Sequence, residues 1–165
     1  MSIPLFFRED SFLQPMELTL PDGIAVVTQR FYDVRIEDLR DIFDESFQTL
    51  AQTRPVGPPY AMYEGDPTDV FDLTIGFPVA GPVDVDDFGD PDNPHDIANE
   101  VFPSGPALIM SHIGGFDGLG SAWDSLMEVH AVNGGRTPRA TIEIYVNDPS
   151  STPQEDLRTD LLALY

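Results

Sequence analysis

Residues Ala25 to Phe47, AVVTQRFYDVRIEDLRDIFDESF, read as an apolar strand, a loop carrying an aromatic, and then an amphipathic helix. The same order returns in ALIMSHIGGFDGLGSAWDSLMEV, Ala107 to Val129. A supersecondary unit that recurs along one chain marks an internally repeated fold. Each copy is followed by a Pro- or Gly-marked break and a short strand: PYAMYEGDP, Pro59 to Pro67, and ATIEIYVNDP, Ala140 to Pro149. One common shift brings Tyr63 onto Tyr145, Asp66 onto Asp148 and Pro67 onto Pro149. The helical stripes align better with a slightly larger shift. The closing strands, FDLTIGFPV (Phe71 to Val79) and DLRTDLLAL (Asp156 to Leu164), need one larger still.

Periodicity fixes the elements. Ile36, Leu39, Ile42, Phe43, Phe47 and Leu50 form one apolar stripe at three-to-four spacing, with Glu37 and Asp38 in the first turn, where the helix dipole favours acids. Leu119, Trp123, Leu126, Met127 and His130 form the second stripe, and Asn133-Gly134-Gly135 stops it as a left-handed cap would. Helices are therefore predicted near 34–51 and 116–132. In FDLTIGFPV, Phe71, Leu73, Ile75, Phe77 and Val79 point to one side. The predicted fold class is α+β: two β-α-β-β repeats forming one antiparallel sheet, with two main helices on one face and a ligand cleft on the other.

These elements occupy one domain over residues 1–165, with half 1 at about 16–79, a linker at 80–105 and half 2 at about 106–165. The linker is rich in Asp, Pro, Gly and Asn and reads as a loop. The segment MELTL extends the first strand across an interruption at Pro21-Asp22-Gly23. At the start, Ile3 to Phe7 is apolar but is followed at once by Arg8, Glu9 and Asp10. That is too short for a signal-peptide core, and no apolar run approaches the ~18 residues of a membrane span. A cytoplasmic protein without membrane contact is expected.

Composition narrows the chemistry. With 29 acidic residues against 8 basic ones, all arginine, the net charge of -21 repels phosphates and argues against direct nucleic-acid binding. The surplus fits salt adaptation, a cleft that attracts cations, or an acidic surface for a protein partner. The chain has no cysteine, which removes thiolate chemistry. His95, His112 and His130 lack ligand spacing. Asp84, Asp86, Gly89 and Asp90 resemble a calcium loop, but Phe88 and His95 stand where that loop needs ligands, so no metal is expected. Phosphate-loop, nucleophile-elbow and Rossmann patterns are missing, and no cofactor is expected.

Strand alternation proposes a site. Ile142 and Ile144 share one face and should meet the helices; Glu143 and Tyr145 then share the opposite, open face. The repeat puts Tyr63 beside Ala61 on that face in the first half. Two tyrosines and one carboxylate would converge near the pseudo-twofold axis, a setting suited to a flat cation. The plain alternatives are a solvated glutamate and tyrosines that serve only as strand formers. Trp123 reads as a core residue of the helix stripe or as part of the cleft rim.

The ordered set FDLTIGFPV, Pro103-Ser104-Gly105, HIGGFDGLGSAWDSL, ATIEIYVNDP and LRTDL resembles the GyrI-like, or bacterial transcription activator effector-binding, family, over roughly residues 16 to 165. The resemblance implies the doubled fold and binding of small organic molecules, many of them cationic and aromatic. It carries the family's central acid onto Glu143. Members often sit behind a DNA-binding helix-turn-helix domain. No such segment precedes residue 16, so the chain is similar to the stand-alone members, which include a gyrase-inhibitor type and a hydrolase of strained cyclopropane rings. The family's usual Gly-Pro-Tyr before the second helix reads Gly114-Gly115-Phe116, which removes a hydroxyl. The expected ligand contacts are Glu143, Tyr145, Tyr63, Ala61, Trp123 and Phe116. The leading expectation is a small-molecule binder. The alternatives are a hydrolase with Glu143 as acid/base and a protein that inhibits a topoisomerase-like partner through its acidic surface.

Overall fold

In the computed structural model the described residues are Leu5, 10–50, Gln52, 54–65, 70–83, 96–132, Pro138, 140–147 and 151–164. Among them the chain forms β1 (Met16–Leu20), β2 (Ala25–Val34), α1 (Leu39–Leu50), β3 (Tyr60–Gly65), β4 (Phe71–Pro78), β5 (Asp96–Val101), β6 (Gly105–Ile113), α2 (Leu119–Val132), β7 (Ala140–Tyr145) and β8 (Arg158–Leu164). The strands make one sheet in the order β1-β6-β8-β7-β3-β4-β2-β5, and all pairings are antiparallel. The halves join at its centre, where β3 pairs with β7 and Ala61 lies opposite Glu143.

Both expected helices form, each entered through one 3-10 turn, Ile36–Asp38 and Phe116–Gly118. The first turn is closed by the Asp38 carboxylate, which accepts the Arg35 backbone N–H at 3.2 Å. A bulge between Phe31 and Val34, with Asp33 at φ 54°, ends the β2–β4 ladder and turns the chain toward α1. Burial repeats between the helices at Leu39 and Leu119, Phe43 and Trp123, Ser46 and Leu126, and Phe47 and Met127. That register differs from the one the apolar stripes suggest. A serine hides the match: Ser46 is fully buried because its hydroxyl donates to Gln29 Oε1 at 2.7 Å.

The structure corrects the repeat unit. MELTL does not extend β2; it is β1, hydrogen-bonded to β6 of the second half. The expected linker loop holds β5, which pairs with β2 of the first half. Each half is thus β-β-α-β-β, and the two leading strands are exchanged between halves. The crossing segments touch where the Phe102 N–H donates to the Ile24 carbonyl at 2.8 Å.

The two helices share one face. Side chains of cross-strand partners point to the same side, so Gln29, Ile75, Ala61, Glu143, Leu161 and Met110 form one row under them. Helix α1 packs through Phe43 and Phe47 on Val27, Leu73 and Ile75, while α2 packs through Leu119 and Met127 on Leu108, Met110 and Leu161. Ile142 and Ile144 do not meet the helices. They lie on the far face in a cluster closed by Leu5, Phe12 and Phe102. Glu143 is therefore on the helix side, and the expected cleft opposite the helices is not where its residues are. Both faces of the sheet are covered, so an aliphatic pair does not reveal which cover it meets.

On the far face the Tyr60 ring lies so close over Gly76 that a Cβ there would sit 2.6 Å from the ring. Tyr60 also stacks edge-on to Phe102 at 4.8 Å. No helix of the described residues is long and apolar enough to cross a membrane. Asp66, Pro67, Asp148, Pro149, the Asn133-Gly134-Gly135 stop, the Asp84–Asp90 stretch and His95 lie outside the described residues.

Candidate functional site

Two helices on a sheet this wide leave a gap over its central strands. That gap is a cleft of about 1180 Å³. Its floor is Glu143, Tyr145 and Tyr63 from β7 and β3; its α1 wall carries Leu39, Phe43 and Phe47; its opposite side carries Phe116 and Leu119. The rim continues over Val56–Pro59, Arg40, Asp44 and Asn147. A concave, mostly apolar lining with few polar groups is the common form of a small-molecule site.

Glu143 is the chemical centre. Only 6% of its surface is exposed, yet it sits between two fully buried isoleucines of one strand. The Tyr63 hydroxyl donates to its Oε1 at 2.9 Å, and the Tyr145 hydroxyl to the same oxygen at 2.8 Å. The Trp123 indole N–H donates to Oε2 at 2.9 Å. All three partners among the described residues are neutral, so the carboxylate is held in place without a neutralising cation. Burial, and then the neighbouring carboxylate, hold the hydroxyls of Tyr63 and Tyr145 well above the usual tyrosine range. They stay protonated and keep donating.

Aromatic rings surround this centre. Tyr145 meets Phe43, Phe47 and Phe116 edge-on, at ring separations of 6.0, 6.2 and 5.9 Å. Phe47 also meets Phe77 edge-on at 5.9 Å. This mutual support holds the wall of the cleft in place.

Of the residues expected from sequence, the structure brings Glu143, Tyr145, Tyr63 and Phe116 together in the cleft lining. Ala61 is fully buried beneath it. Trp123 belongs to the α2 core and reaches the site only through its indole N–H. It is not among the residues that line the cleft, so its place is the core reading rather than the rim. His112 is engaged elsewhere, its Nε2 lying 2.9 Å from the Gly115 carbonyl.

The sequence reading missed the α1 wall, Phe77 and Asn147. Phe43 and Phe47 carried a signal, since aromatics at i and i+4 on a stripe facing the sheet can roof a site as well as fill a core. A half-buried tryptophan on α2 also needed an acceptor for its N–H, and Glu143 was the acid available at the sheet centre.

Against known families, the model described as the GyrI-like small molecule binding domain matches residues 17–164. The chain belongs to this GyrI-like family. Curated protein sequences give no match. Among solved structures, the GyrI-like fold is shared with the C-terminal domain of EcmrR, at TM-score 0.68 and 17% identity, covering 92% of this chain and 96% of that one. SAV2435, solved bound to tetraphenylphosphonium, aligns at TM-score 0.64 and 10% identity, covering 92% and 93%. A hydrolase from Listeria innocua aligns at TM-score 0.60 and 12% identity, covering 94% and 93%. At these identities the likeness is one of fold.

Proposed function

We propose that this GyrI-like domain captures an aromatic organic cation in the cleft between its helices, with Glu143 as the counter-charge. The observation that carries the reading is a buried carboxylate held, among the described residues, only by neutral donors at the floor of an aromatic cleft. Three hydrogen bonds hold its charge, and an entering cation supplies the missing opposite sign in a setting poorly screened by water. The surrounding rings add contact area and a negative π-face. The tetraphenylphosphonium on SAV2435 is a ligand of this class held by a protein of the same fold. Cytoplasmic placement and independence from nucleic acid accompany this reading.

A hydrolase role for Glu143 has less support. A general base needs a free lone pair aimed at water. Here two hydroxyls occupy Oε1 and the indole takes one of the two lone pairs of Oε2, so a single acceptor site is left for water.

Glu143→Gln keeps the shape and removes the charge. Calorimetric titration of wild type and variant with tetraphenylphosphonium should show a loss of about 1–3 kcal/mol, the scale of a charge-assisted contact. Neutral triphenylphosphine oxide should bind both alike. Equal losses for both ligands would reject the charge role. Turnover of a strained electrophile by wild type, lost in the variant, would move the assignment to hydrolase.

A further inference from the structure

The rim of the cleft carries a second kind of chemistry. Arg40, on the first turn of α1, lines the same cleft as Glu143 and is solvent-exposed. The chain has only 8 basic residues against 29 acidic ones, so a cationic side chain without a carboxylate is unexpected. Yet Arg40 forms no ion pair among the described residues, even though Asp44, one turn further along the same helix face, also lines the cleft.

Asn147 adds a neutral donor. Its Oδ1 accepts the Arg158 backbone N–H at 2.8 Å. A backbone N–H can only donate, so this bond fixes the orientation of the amide. The Nδ2 group is left as a donor and meets no acceptor among the described residues, while Asn147 itself lines the cleft. The floor therefore accepts positive charge, and the rim offers donors to negative charge.

We propose that Arg40 determines specificity for an anionic group on the ligand, so that the cleft selects amphoteric aromatic molecules: a cationic portion at Glu143 and a carboxylate at Arg40, with Asn147 as a further donor. This inference rests on the reading of the cleft as an organic-cation site. A guanidinium suits a carboxylate because its planar fork matches both oxygens. Arg40 is exposed, so water screens the contact and its contribution is modest.

The test compares butyltriphenylphosphonium with carboxyalkyl triphenylphosphoniums of graded tail length, titrated calorimetrically at neutral pH against wild type, Arg40→Gln and Asp44→Asn. In Arg40→Gln the carboxylated probe whose tail best spans floor to rim should lose affinity by up to about five-fold, the scale of an exposed pair. Butyltriphenylphosphonium should hold or gain affinity, because the cleft becomes more negative. Asp44→Asn should tighten the carboxylated probe. Loss of affinity for the carboxylated probe, with none for butyltriphenylphosphonium, supports the proposal. Butyltriphenylphosphonium binding, with every carboxylated probe indifferent to Arg40, would overturn it and leave the cation site standing. If no phosphonium binds wild type, the cation reading fails and this inference falls with it.

Discussion

The two faces of the sheet are built from the same strands and do opposite work. In β7, Ile142 and Ile144 enter a dry cluster on the far face, while Glu143 and Tyr145 enter the cleft under the helices. The far face is closed by chain outside the helices, and its buried carboxylate is neutralised internally. Asp160 is fully buried there, accepting the Arg158 Nε–H at 2.9 Å and the Ser111 hydroxyl at 2.7 Å. Ser111 Oγ in turn accepts the Phe12 backbone N–H at 2.8 Å, which ties the incoming chain to the sheet. On the helix face Glu143 has three neutral donors and no cationic partner among the described residues. The carboxylate of Asp160 with its guanidinium is architecture; under the proposed function, the carboxylate of Glu143 meets its counter-charge in the ligand.

The sharpest break of this comparison is on the far face. Asp160→Asn removes the carboxylate that Arg158 grips through two nitrogens, and loss of one partner of a buried pair costs about 3–5 kcal/mol. Urea denaturation should show that loss, while the affinity of the surviving folded protein for tetraphenylphosphonium stays near wild type. A large change in affinity would mean that the faces are coupled.

The two cleft tyrosines come next. Tyr63→Phe and Tyr145→Phe each delete a donor to Glu143 Oε1 and should cost about 1–3 kcal/mol of stability. They also predict a pH effect. Both hydroxyls are held above the ordinary tyrosine value in the folded state by burial and then by Glu143, so their contribution is complete below about pH 10. Above that pH the unfolded chain releases the protons first, and stability falls by about 1.4 kcal/mol per pH unit for each tyrosine. The double Phe variant should show a shallower alkaline decline in its denaturation midpoint. An unchanged slope would contradict burial of these hydroxyls.

The smallest effect belongs to the exposed pair Arg30–Glu100, at 3.2 Å between β2 and β5 with both side chains about one-third exposed. Burial disfavours the charge on Arg30, but Glu100 and the neighbouring tyrosine outweigh it, and the guanidinium is held above its usual value. Glu100→Gln should change stability by at most about 1 kcal/mol, within the range of surface pairs. A larger loss would show that β5 depends on this contact.

Much of the fold was readable from the chain because periodicity is local. The two helices and the alternating β4 followed from spacing alone. Three things did not. The strand Asp96–Val101 sits at the end of an acidic, Pro-rich stretch, and its pairing with β2 is a long-range choice that composition does not encode. The partner of β1 was hidden for the same reason. The side on which Glu143 lies depended on what covers Ile142 and Ile144, and that cover is Leu5 and Phe12, ahead of the first strand, and Phe102, in the stretch that read as a linker. Alternation separated the two sets of residues correctly and could not say which set the helices roof. The grouping of Tyr63, Tyr145 and Glu143 survived this error, because residues on one face of adjacent strands stay together whichever face it is.

The most direct measurement is a crystal structure of the protein grown with tetraphenylphosphonium. The phosphonium should sit between α1 and the Phe116 turn, its rings against Tyr145, Phe43 and Phe47, with the Glu143 carboxylate as the nearest acidic group. Density only on the far face or on the outer acidic surface, with the cleft unchanged, would contradict the assignment of Glu143 as the counter-charge.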